Sequence, residues 1–237
     1  MSTIHVGEVI GDTATSEIAS RLNGHRSLIR DRDRPTWERI PAGSRQPFQQ
    51  AVYLGVDALT SSGGRLSFRV EWDEITAAAF RGSEFWGGVT NSAEIRIREV
   101  SAARILSIQS EVPRPWAVAH RISSVVIDEG GLIAPRPIPI AAIARVQAED
   151  SVGDRNVRYR NVEVGTTGIL RGSVRRNSAL RSRMARSGTL EYVQFDSRAL
   201  EGVVGIFGPK GRIACRRASV SELTDYYESK ILPHLES

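Results

Sequence analysis

The sequence predicts an all-β fold, a sandwich or barrel of about eight or nine short strands, with an N-terminal arm and a C-terminal helix. Apolar and polar residues alternate with period two in several segments, most cleanly in Arg65–Asp73, as in strands with one buried face. Turn-forming clusters of Gly, Pro and Ser separate these segments at short intervals. Strands do not alternate with long helices, so a Rossmann-type sheet is not expected.

Residues 1–50 are predicted to form an extended arm with one helix. The segment Thr13–Ser16 would cap a helix over Glu17–Leu22, which Gly24 would end. Mixed charges and prolines follow, as is common in solvated surface segments. A subunit-clasping arm is the alternative interpretation.

The β-rich domain is predicted to span residues 51–237. Leu66, Phe68, Val70 and Trp72 are the expected buried face of its second strand. The predicted strands are Ala51–Leu59, Arg65–Asp73, Ala93–Val100, Ala103–Ser110, Ala117–Ile127, Asn156–Val164, Thr189–Phe195, Gly202–Phe207 and Arg212–Val220.

Segments without a clear period are predicted to connect these strands. Ile75–Arg81 is expected to be a short helix or loop, and Phe85–Gly88 a turn. Leu132–Ala144 contains three prolines at spacing two, so it is expected to be an edge strand or a polyproline II segment. The final helix is predicted over residues 221–232, with Ser221 as its cap and Pro233 after its end.

Charge is distributed unevenly along the 237 residues. The chain has 32 basic and 27 acidic residues, and its excess of positive charge lies after residue 150. Residues 155–186 contain nine arginines and one acid, Glu163. The planar guanidinium fits phosphate, so this cluster favours nucleic-acid binding. Arginine-rich codon usage would explain the scarcity of lysine, but not the clustering.

The strongest local pattern is an amphipathic helix predicted over Ser173–Arg186. Val174, Leu180 and Met184 share one side of this helix, and arginines occupy the other. With arginines from nearby strands, they form the predicted set of phosphate contacts: Arg158, Arg160, Arg171, Arg175, Arg176, Arg183 and Arg186. A solvated helix without a partner is the plainer alternative.

Aromatic residues near the arginines have two interpretations. Tyr159, Tyr192 and Phe195 could stack on bases, although aromatic residues at strand spacing more often belong to the core. His120 lies in an apolar segment and is expected to be a buried core residue.

Catalytic signatures are weak, so a non-enzyme is favoured and no cofactor is expected. The four histidines form no metal-ligand pair, and neither a nucleophile elbow nor a P-loop is present. Glu71 and Asp73 share one predicted strand face and could hold Mg²⁺, as a nuclease requires. No lysine lies near them in the sequence.

Cellular location is inferred from the absence of secretory features. Cys215 is a lone cysteine, and the sequence contains neither an apolar run long enough to cross a membrane nor a secretory signal. An intracellular protein is therefore predicted.

Together these patterns predict a non-enzymatic, self-associating protein that binds nucleic acid by its phosphate backbone, with RNA or single strands favoured. Homo-oligomers would form through the arm or through the edge at Leu132–Ala144. The architecture is similar to that of viral coat or movement proteins, a likeness that no motif supports. The alternatives are a Mg²⁺-dependent nuclease and a matrix-like scaffold that binds acidic membrane.

Overall fold

A computed structural model describes residues 1–100, 103–109, 115–126, 132–160, 167–171, 183, 186 and 188–235. Half of the described residues are in strands and about a third are in helices, which confirms the β-rich prediction and the C-terminal helix. The described strands number twelve, against the eight or nine predicted. They are antiparallel and their order does not close. The chain folds into two compact units.

Unit 2 comprises residues 8–108 and 112–134. Its strands follow the order β2-β3-β4-β5-β6. The elements are α1 (Thr15–Leu22), β2 (Arg26–Leu28), α2 (Ile29–Arg32), α3 (Arg34–Arg39), β3 (Val52–Ser62), β4 (Arg65–Phe80), β5 (Ser83–Val100), β6 (Ala103–Gln109) and α4 (Pro115–Val126).

The core of unit 2 lies between one face of this sheet and two helices. The alternation predicted for β4 is confirmed, since Leu66, Phe68, Val70 and Trp72 are all buried. The helices α1 and α4 pack against each other and against β3. Their apolar residues, including Ile18 of α1, join the strand residues in one buried cluster.

The connection predicted after Arg65–Asp73 is wrong, because β4 and β5 form one long hairpin. Their register is continuous from Arg65↔Arg98 to Phe80↔Ser83, through both Ile75–Arg81 and Phe85–Gly88. Arg81 and Gly82 close it with φ values of 50° and 80°, the left-handed pair that a two-residue hairpin turn needs. Alanine has low strand propensity, so the Ala77–Ala79 run obscured the strand.

The strand predicted at Ala117–Ile127 is also wrong, because residues 117–126 lie in helix α4. Its buried residues include Val118, Ala119, Ile122 and Val126, which recur at helical spacing. Periodicity alone does not separate a short apolar helix from a buried strand. His120, expected in the core, is exposed on this helix.

Unit 1 comprises residues 1–7, 109–111 and 135–237. Its strands follow the order β1-β12-β11-β10-β8-β9. The elements are β1 (Ser2–Ile10), β7 (Leu132–Pro135), α5 (Ile140–Asp150), β8 (Ser151–Arg160), β9 (Thr167–Arg171), β10 (Thr189–Ser197), β11 (Gly202–Phe207), β12 (Arg212–Cys215) and α6 (Val220–Tyr226). Strands β1 and β7 each cross the boundary between the units.

The sheet of unit 1 buries one face under helices. Val157, Val193, Ile206 and Ile213 follow one another across the strands at paired positions and are fully buried. Helix α5 packs on β8 and β10, and α6 packs on β12. Residues at the alternate positions of the same strands therefore lie on the opposite face, which is half-buried or exposed at most positions.

Residues 1–50 differ from the expected arm. Their first strand, β1, pairs with β12 and buries Ile4 and Val6 completely. The predicted short helix is present as α1, with Ile18 and Leu22 buried. These residues belong to the packed units because their apolar side chains, though sparse, are placed at strand and helix spacing.

Two segments have boundaries that differ from the predicted ones. Leu132–Ala144 splits into a short strand, β7, which pairs with β1, and the start of α5. At the C-terminal helix the cap is Ser219, whose hydroxyl accepts from the amide of Glu222 while that carboxylate accepts from the Ser219 amide. This reciprocal capping box moves the helix start to Val220.

Candidate nucleic-acid interface

The open face of unit 1 has a row of side chains across six adjacent strands. Neighbouring members are directly paired in the strand register and therefore lie on the same face. We call this set the basic-aromatic row; from β9 to β1 it contains Ile169, Arg158, Tyr192, Phe207, Arg212 and His5.

Further cations lie beside this row. Arg171 pairs with Asn156, and Asn156 with Gln194, in the next row of the same face. Arg160 at the end of β8 is exposed on this face, and Lys210 is exposed in the turn before β12. Positive charge is thus spread over both sides of the two central aromatic rings.

A cavity of about 400 Å³ opens on this face. It is lined by the first five members of the row together with Asn156 and Lys210. Its size falls in the usual range for small-ligand sites. The lining combines cations, one amide and two aromatic rings, which suits a phosphate attached to a planar ring.

The aromatic rings are positioned by a glycine. A Cβ atom added to Gly205 of β11 would lie 2.6 Å from the Tyr192 hydroxyl oxygen and 3.1 Å from Cε2 of that ring. The Tyr192 ring therefore lies over the backbone at Gly205, where a larger residue would displace it. Its centroid is 6.4 Å from that of Phe207, with 42° between the planes. The Lys210 ammonium lies 5.8 Å from the Phe207 centroid, within cation–π distance.

Arg158 and Arg160 share a buried carboxylate. Glu191 is only 9% exposed at its side chain and lies 3.1 Å from Arg158 Nε and 3.7 Å from Arg160 Nη1. The 3.1 Å pair lacks hydrogen-bond geometry, and Arg158 Nε accordingly donates to no acceptor in the described structure. The carboxylate lies beside Arg158, which lines the cavity, and beside Arg160, and it lowers the local positive charge.

Burial and cations affect two titratable groups of this face. Burial, aided by Arg212 and Lys210, lowers the pKa of His5 from 6.5 to about 4, so the imidazole is neutral at pH 7. Burial raises the pKa of Tyr192, against the opposing effect of Arg212. Neither His5 nor Tyr192 therefore contributes charge to this face at neutral pH.

Three of the predicted phosphate contacts, Arg158, Arg160 and Arg171, meet on this face. Arg183 and Arg186 are exposed and helical. Arg175 and Arg176 lie outside the described residues, as do the apolar residues expected to hold their helix.

The predicted stacking residues separate in the structure. Tyr159 and Phe195 are buried core residues, whereas the half-buried Tyr192 lies on the open face. Sequence reasoning missed Phe207, Lys210 and Arg212. The signal was present in the β11–β12 hairpin, where Arg212 alternates with the buried Ile213, but the pairing that brings this hairpin beside β8 was not evident.

The carboxylates considered for a magnesium site make contacts within unit 2. Glu71 pairs with Arg26 at 2.8 Å. Asp73 accepts from the Val52 amide and from the Thr90 hydroxyl, each at 2.6 Å. Among the residues that the structure describes, no group of three His, Cys, Asp or Glu side chains could bind a metal ion.

The described helices include none with the length and apolar character to cross a membrane. Comparison with protein-family models and with curated proteins finds no match to this chain.

Proposed function

We propose that this protein binds single-stranded nucleic acid, with RNA favoured, through the open face of unit 1, and that it does so as a self-associating, non-enzymatic protein. The observation that carries the proposal is the basic-aromatic row, in which two adjacent half-buried rings, Tyr192 and Phe207, lie between Arg158 and Arg212 on paired strands. Rings of this kind stack on any unpaired base, while neighbouring cations contact the phosphates.

Single strands are favoured over duplex because the rings face the cavity. Tyr192 and Phe207 line the cavity, and a base must leave its stack before it can stack on such rings. Arg158, Lys210 and Arg212 line the same cavity, so a phosphate next to that base meets positive charge on several sides. A duplex would contact only the outer cations.

The test is fluorescence anisotropy with labelled RNA and DNA, single- and double-stranded, over a salt series. A triple variant, Arg171→Ala, Lys210→Ala and Arg212→Ala, removes exposed cations from this face. Each lost phosphate contact should reduce the slope of log K against log salt by about 0.7 for a single strand. Equal affinity in the variant and the parent, with equal salt slopes, would contradict the assignment of nucleic-acid binding to this face.

Arg145→Ala is the matched charge control. Arg145 is exposed on α5, the helix that packs on the other face of the sheet. Its removal should leave the salt slope unchanged. Parallel samples with Mg²⁺ or chelator distinguish binding from cleavage, the nuclease alternative.

Phe207→Leu tests the aromatic part separately. The change keeps an apolar side chain but removes the ring, and loss of one stacked base costs about 1–3 kcal/mol. Affinity for single strands should fall by roughly 5- to 150-fold, with the salt slope retained. An unchanged affinity would mean that Phe207 does not stack on a base and that binding depends on phosphate contacts alone.

A further inference from the structure

The end of the β4–β5 hairpin has the features of an interaction surface. Residues 76–90, which we call the ribbon tip, are all exposed except Trp86, which is partly exposed. Phe80, Phe85 and Val89 are exposed by 64%, 56% and 62%. Large apolar residues grouped in this way mark contact sites more often than ordinary solvated surface.

Both backbone edges of the ribbon tip lack a paired strand in the described structure. The register of β3 with β4 ends at Gly55↔Glu71, and that of β5 with β6 ends at Ile95↔Ile108. From Trp72↔Asn91 to the turn, β4 and β5 pair only with each other, over about 27 Å of ribbon. A two-stranded ribbon exposed on both faces is marginally stable in water, and open edges favour pairing with a further strand.

We propose that the ribbon tip binds the ribbon tip of a second copy of this chain. The proposal rests on the self-association part of the proposed function and assigns its interface. Charge supports this partner, because Arg81 and Glu84 are the only charged residues of the ribbon tip and leave it with no net charge. Two copies therefore meet without repulsion, and each arginine has a carboxylate available on its partner.

The same features disfavour other partners. Nucleic acid requires a net positive surface, which the ribbon tip lacks. If Phe85 inserted into a bilayer, the neighbouring exposed Glu84 would also enter the apolar region, and burial of its charge there costs free energy. The fifteen residues of the ribbon tip are fewer than the roughly 20–30 that a standard stable interface uses on each side, so the association is expected to be weak and to depend on concentration.

The experiment is sedimentation velocity across a concentration series, without nucleic acid. The parent should associate, and the double variant Phe80→Ser, Phe85→Ser should sediment as a monomer over the same range. Ala78→Lys is a second variant, because Ala78 pairs with Phe85 and lies on the face of the two aromatics, so that the change places like charges on the two copies while both aromatics remain. Val152→Ser, a change to a residue 57% exposed on β8, is the matched control and should associate like the parent.

Hydrogen exchange supplies an independent measurement. Amides of the ribbon tip should become protected as the parent concentration rises, while those of the double variant should not. A parent that is monomeric throughout would contradict self-association itself. An oligomer unaffected by either variant would contradict only the assignment to the ribbon tip. Vesicle flotation of the parent that requires Phe80 and Phe85 would identify a membrane-binding hairpin and overturn the proposal.

Discussion

At the scale of single residues, Glu191 is an acid at the centre of a pair of arginines in the proposed interface. Its buried carboxylate pairs with both Arg158 and Arg160 and competes with any phosphate that approaches them. Glu191→Gln keeps the side-chain shape and removes one negative charge. We expect oligonucleotide affinity to rise by about threefold to tenfold, equivalent to roughly 1 kcal/mol for one partly screened charge.

Anisotropy titrations at fixed salt measure this change. Glu149→Gln, at an exposed acid of α5, is the control for net charge and should bind like the parent. A weaker Glu191→Gln complex would mean that positioning of Arg158 outweighs the competing charge, contrary to this prediction.

At the scale of elements, β11 positions the rings through the absence of a side chain at Gly205. Gly205→Ala would place a methyl group against the Tyr192 ring, which must then rotate or shift. We expect weaker binding of single strands and a small loss of stability, since the Tyr192 ring would leave its position over Gly205 and beside Phe207. Anisotropy titrations measure the change in binding, and thermal unfolding measures the change in stability.

Gly43→Ala provides the comparison, because a Cβ atom there would meet no atom within 4 Å. If Gly205→Ala binds as tightly as Gly43→Ala, the orientation of Tyr192 does not matter for the ligand.

Sequence patterns predicted elements whose periodicity is local. The alternation of Leu66, Phe68, Val70 and Trp72 identified β4, because this pattern is complete within a few consecutive residues of the sequence. The candidate interface could not be predicted in this way, because Arg158 and Arg212 come to one face only through the pairing of β8, β10, β11 and β12. A shift of one residue in any of these registers would move a side chain to the buried face, and one sequence does not specify such non-local pairing.

At the scale of the whole molecule, the two units predict two separable unfolding steps. Ile4 of β1 is fully buried in unit 1, and Leu54 of β3 is fully buried in unit 2. Ile4→Ala and Leu54→Ala should each cost about 2–5 kcal/mol. The first should accelerate hydrogen exchange mainly in β10 and β11, and the second mainly in β3 and β4. Equal acceleration in both units by either variant would contradict the division.

The pairing of β1 with β12 also affects the order in which the chain acquires structure on the ribosome. Ser2 pairs with Cys215, so an early segment of the nascent polypeptide needs a partner that is translated much later. At about 5–20 residues per second, the interval is roughly 10–40 s. Unit 2, whose residues end at 134, can be translated in full during this wait. Meanwhile the apolar first strand remains available to chaperones and to neighbouring nascent chains.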